Sequence, residues 1–141
     1  MWEEIVKYIE RCLYDFKANL TLIETLKEEK HNLMSLKGQS YDVHPINGMS
    51  DPVADITARV LLLENKIKRT EKKVKPVMKL YTHLKGSSIF FNQLREILEY
   101  RYFKAKDVSE VKRILGISAV TFWRRKMDLL KVAHKFFRDE Y

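Results

Sequence analysis

DVSEVKRILGISAVTFWRRKMDLL, residues 107–130, is the stretch whose reading decides the fold. It reads as two helices joined by a tight turn. Ser109 and Glu110 open the first, placing an acid near the positive end of the helix dipole. Val111, Ile114 and Leu115 are three and four apart and share one face. Gly116 then stops the pattern, as a residue needing positive φ at a helix C-terminus does. Ile117 plugs the turn, and Ser118 is the N-cap expected for a second helix, AVTFWRRKMDLL. This is the layout of a helix-turn-helix, whose second helix enters a DNA major groove.

The second helix has a matching surface. Phe122, Leu129, Leu130 and Ala133 form an apolar stripe. Val120, Trp123, Arg124 and the heads of Arg125 or Lys126 fall elsewhere, towards the N-terminal half that reaches base edges in this motif. Arginine can pair with guanine O6 and N7. A basic outer face is also common on ordinary surface helices, and Trp123 can be read as core. The two-helix spacing, the glycine turn and the basic face together favour DNA.

Working outward, residues 88–103 predict a helix with Ile89, Phe90, Leu94, Ile97, Leu98 and Tyr102 apolar, after a break and cap at residues 85–88. The last helix continues past Leu130 through Val132, Ala133, Phe136 and Phe137 to pack back on it. Upstream, Val53, Ile56, Val60, Leu63, Ile67, Thr70, Val74, Val77, Tyr81 and Leu84 alternate three and four apart. That run predicts a long helix in an antiparallel hairpin or a dimer seam, with a kink or break expected at Pro76. Lys66, Lys68, Arg69, Lys72, Lys73, Lys75 and Lys79 flank it and read first as a solvated face, second as phosphate contacts. Residues 38–51 read as a loop ending in a helix start, with Ser50 or Asp51 as cap, Pro52 at the first position and Asp55 in the first turn. Residues 2–36 read as one helix on the heptad seam Trp2, Ile5, Ile9, Cys12, Phe16, Ile23, Leu26 and Leu33, widened by Leu13, Leu20 and Leu22. It is either one helix of a bundle or a coiled-coil arm. The expected fold is therefore all-α, with a long helical hairpin or coiled-coil arm over residues 1–85 and a three-helix module over residues 86–141.

The totals agree. Among 141 residues, four Gly and three Pro imply mostly helix, and 45% hydrophobic residues suffice for a core. The net charge of +8 favours a polyanionic partner. It is unevenly placed: residues 1–50 carry −2, residues 51–85 carry +5 and residues 86–141 carry +5. Cys12 alone gives no disulfide framework. Glu3 and Glu4 stand where a secretory leader would be basic, and no apolar run approaches a membrane span, so an intracellular location is expected. His31, His44, His83 and His134 lack ligand spacing, and no nucleotide-binding, hydrolase or zinc-protease motif occurs. Neither an enzyme, nor a cofactor, nor a small-molecule substrate is expected.

Residues 94–130, LREILEYRYFKAKDVSEVKRILGISAVTFWRRKMDLL, resemble domain four of bacterial sigma factors in the Arg101-Tyr102-Phe103 helix end and the Leu115-Gly116-Ile117-Ser118 turn. The whole chain resembles the sigma-like prophage regulators of the RinA and ArpU group of Gram-positive bacteria. Gly48-Met49-Ser50-Asp51-Pro52 and Thr121-Phe122 carry that likeness, which covers most of residues 38–135. The resemblance implies a phage-encoded activator of late genes, acting near RNA polymerase in the bacterial cytoplasm. It also implies that Ala119, Val120, Trp123 and Arg124 face bases, although Trp123 departs from the pattern by its bulk. The expected DNA-contacting set is Ser118, Ala119, Val120, Thr121, Trp123, Arg124, Arg125, Lys126 and Lys131, on a homodimer. Two other classes stay open: a coiled-coil module that contacts protein, and a small phage packaging subunit that binds DNA as a ring.

Overall fold

Apolar residues at helical spacing dictate every element of this chain. The computed structural model describes residues 1–39, 52–86 and 88–138, and no strand occurs among them. Six α-helices follow in order: α1 (Trp2–Tyr14), α2 (Phe16–Gln39), α3 (Pro52–Leu84), α4 (Ile89–Ile97), α5 (Val108–Leu115) and α6 (Ala119–Phe137). A π-helical segment, Leu98–Phe103, prolongs α4. The capping residues expected at Ser50, Asp51 and Ser87, and the loop from residue 40 onward, lie outside the described residues. Ser88 flanks α4 with no side-chain cap bond.

The chain divides into two compact units, Met1–Ala18 with Lys72–Tyr141, and Asn19–Glu71. The sequence places a boundary near residue 85 instead, with the first helix in the arm. The difference arises because α1 belongs to the C-terminal core. Ile9, Cys12 and Leu13 are buried together with Val77, Leu80 and Leu84 of α3, Leu94 and Ile97 of α4, Leu98 and Tyr102, Val111 of α5, and Phe122, Leu129, Leu130, Ala133 and Phe137 of α6. Burial pushes the Cys12 thiol pKa up, as an inert core cysteine requires.

Packing also explains three local departures. First, the helix expected over residues 2–36 breaks at Asp15, whose φ of −87° and ψ of 1° end α1. No glycine or proline marks the break. The aromatic rings on either side set it: Tyr14 lies 4.7 Å from Tyr102, and Phe16 stacks 4.9 Å from Phe103. Second, α3 runs unbroken through Pro76. A mid-helix proline costs about 3 kcal/mol. The buried Val74, Val77 and Leu80 around it offset that cost. Third, the expected regular helix over residues 88–103 ends in wider turns, with Lys104 N–H reaching the Glu99 carbonyl at 2.9 Å. Adjacent Tyr102 and Phe103 both engage the core there.

In the second unit α2 and α3 run antiparallel, since Lys27 pairs with Glu71 at 3.7 Å and Lys30 with Glu64 at 3.2 Å. Leu26, Leu63 and Ile67 pack together, with Leu33 against them. Thr70, the polar member of the seam, is satisfied by donating to the Lys66 carbonyl at 2.9 Å. Leu20, Leu22, Leu61 and Leu62 remain exposed. Leu13, grouped with them by sequence, is instead fully buried in the first unit.

Candidate nucleic-acid interface

The candidate site is built from the turn upward. Asp107, rather than Ser109, caps α5: its Oδ1 accepts from Glu110 N–H at 2.8 Å. Glu110 accepts in turn from Lys106 Nζ at 3.2 Å. Before it, Ala105 takes a positive φ of 51°, a strained conformation for alanine. Arg101 holds that turn by donating to the Lys106 carbonyl at 2.9 Å.

At the far end of α5, Gly116 has φ 65° and ψ 38°. The Lys112 carbonyl accepts from both Gly116 and Ile117 N–H, the second at 3.1 Å, closing the helix in the manner of a Schellman turn. Ile117 packs against the core. Ser118 Oγ then accepts from Thr121 N–H at 3.2 Å and starts α6. Its hydroxyl also donates to Thr121 Oγ1 at 3.0 Å, so these two hydroxyls fix the helix start.

The α6 helix is two-faced. Phe122, Leu129, Leu130, Ala133 and Phe137 are fully buried. Val120, Trp123, Arg124 and Lys131 are exposed, as are Ser118 and Ala119. Val120, Trp123, Arg124, Met127 and Lys131 are spaced three, four and seven apart and share one face. Val120 keeps 60% of its surface exposed and Trp123 keeps 50%.

Two of the nine residues singled out by sequence are held elsewhere. Arg125 Nε donates to Gln93 Oε1 at 2.9 Å, its Nη1 lies 3.4 Å from Asp128 Oδ2, and its guanidinium covers the Phe90 ring at 5.1 Å. Arg125 therefore ties α6 to α4. Lys126 Nζ lies 3.7 Å from Glu10 Oε2 and 4.6 Å from the Trp123 ring centroid. Its side chain is only 14% exposed. Glu10 also accepts from Tyr102 Oη at 3.3 Å, so one carboxylate of α1 braces both α6 and the π segment. Burial, then the Glu10 charge, raises the Tyr102 pKa well above the usual phenol range.

The bracing residues Glu10, Gln93 and Phe90 are absent from the sequence-based set. Glu10 sits beside Ile9 on the buried stripe of α1, a local signal, but its partner is 116 residues away. Among the described residues no group of three or more His, Cys, Asp or Glu could hold a metal ion, and no helix is long and apolar enough to cross a membrane. No family model, curated protein or solved structure matches this chain.

Proposed function

We propose that the chain is a sequence-specific duplex-DNA-binding transcriptional regulator that uses α5, the Gly116 turn and α6 as a helix-turn-helix. The exposed α6 face, carrying Arg124 and Lys131 opposite a completely buried stripe, carries this reading. A cation that neutralises a phosphate releases condensed counterions, and an arginine can pair with guanine in the major groove. Arg124, Lys131 and Lys135 are exposed cations of that face. Arg125 and Lys126 hold the helix in place from its sides. The likeness to sigma domain four and to the RinA and ArpU group supports the same reading. It extends it to a phage or prophage activator working beside RNA polymerase in the bacterial cytoplasm.

Dimerisation is the second part of the proposal. Among the described residues of Asn19–Glu71 few side chains are buried, and Leu20, Leu22, Leu61 and Leu62 are among those that lie in water. Two copies of this unit can cover them in a self-complementary interface. Two reading helices then gain from effective concentration and address half-sites a whole number of DNA turns apart, about 34–36 Å per turn. Selection of bound sequences from random duplex DNA tests the function. A recurring site is the expected result. Arg124→Ala then loses about 1–3 kcal/mol on that site and relaxes the preference at one base pair. Recovery of no recurring site, or equal affinity of the Arg124 variant and the parent, counts against it.

A further inference from the structure

We infer that α6 reads thymine through its 5-methyl group, using the apolar strip Val120, Trp123 and Met127 beside Arg124. The inference rests on the DNA-binding reading above and names the bases that reading leaves open. These three side chains are not surplus core. The core face of α6 is already complete in Phe122, Leu129, Leu130, Ala133 and Phe137, all fully buried. Val120 and Met127 lie away from that stripe and Trp123 flanks it, seven residues before Leu130; all three are exposed.

The charges around the strip select its occupant. Asp128 is the sole acid of α6, and it is paired with Arg125. The strip is flanked by Arg124 and Lys131, so the complementary surface is apolar at its centre and anionic around it. A major groove lined with thymine has that character: a 5-methyl group on the base edge between two rows of phosphates. Trp123 is also pre-set. Its ring stands edge-on to Phe122 at 5.6 Å and 78°, and Lys126 Nζ lies against it. An aromatic ring already held by its neighbours loses less freedom on binding.

The test replaces thymine by uracil, one position at a time, in the selected duplex, which removes the methyl and leaves pairing and charge intact. The parent is expected to lose about fourfold in affinity at each contacted position, the equivalent of one buried methyl-sized group. Val120→Ala is expected to abolish that difference at one position. Because Val120 is exposed, this variant leaves the core intact. Specific binding with equal affinity for thymine and uracil at every position overturns the thymine inference and leaves the DNA reading standing. A recurring site without thymine does the same. Absence of any salt-dependent duplex binding overturns both, and assigns the strip to a protein partner instead.

Discussion

The two compact units use similar helices to different ends. In the unit formed by Met1–Ala18 and Lys72–Tyr141, sixteen buried residues from α1, α3, α4, the π segment, α5 and α6 form one core, fifteen of them with no measurable exposure. In Asn19–Glu71 the comparable cluster is Leu26, Leu63 and Ile67, each still slightly exposed, while Leu20, Leu22, Leu36, Leu61 and Leu62 lie in water. A heptad-like pattern therefore marks a helix that needs a partner, without saying whether the partner is in the same chain. Where residues distant in sequence converge, the partner is internal. Where only two helices face each other, apolar surface is left over.

Core truncation should expose this contrast most strongly. Phe122→Ala, in the large core, is expected to cost about 3–5 kcal/mol, read from urea unfolding by circular dichroism. Leu63→Ala, in the thin core, should cost about 2 kcal/mol, the low end for a buried leucine, because the site is already partly open. Equal costs would erase the distinction between the units.

The exposed leucines provide the next largest effect. Replacing Leu61 and Leu62 by Lys should leave the helix content unchanged and convert a dimer to a monomer in light scattering. DNA affinity should fall on the order of a hundredfold as the linked second site is lost. An unmodified protein that is already monomeric at tens of micromolar would remove the dimer from the account.

Smaller effects probe the turns that aim α6. Gly116→Ala is expected to cost about 1 kcal/mol. A Cβ there meets no atom within 4 Å, so the cost is in the backbone alone. No measurable change would mean that the turn tolerates another geometry. The smallest concerns pH. The folded state keeps Tyr102 neutral, whereas the unfolded phenol ionises near pH 10. Stability from this group is therefore full below about pH 10 and is lost as pH rises above it. Tyr102→Phe should shift the alkaline unfolding midpoint upward, with a loss near neutrality of about 1 kcal/mol or less for the bond to Glu10.

What could be read from the sequence was local. Gly116 at a left-handed position, Ser118 as a cap, the buried stripe of α6 and the seam of α3 each follow from residues within a few turns of one another. What escaped was set at long range. The break at Asp15 depends on aromatic contacts with residues 102 and 103, and the docking of α1 depends on a core shared with α6. The strained Ala105, which no glycine announces, is held by Arg101. In the candidate interface, periodicity identified which side of α6 is free. It could not show that Gln93 and Glu10 draw Arg125 and Lys126 aside and leave Arg124 and Lys131 facing outward.

The central claim, that the exposed face of α6 meets the DNA backbone and bases, is tested most directly by titrating a fluorescent duplex between about 50 and 200 mM salt, the range over which phosphate contacts weaken steeply. The logarithm of the affinity should fall linearly with the logarithm of salt concentration for the parent. Lys131→Ala should bind all sequences more weakly and reduce that slope by about one, the signature of a single lost phosphate contact. Affinity independent of salt, or a Lys131→Ala slope equal to the parent's, would contradict the account.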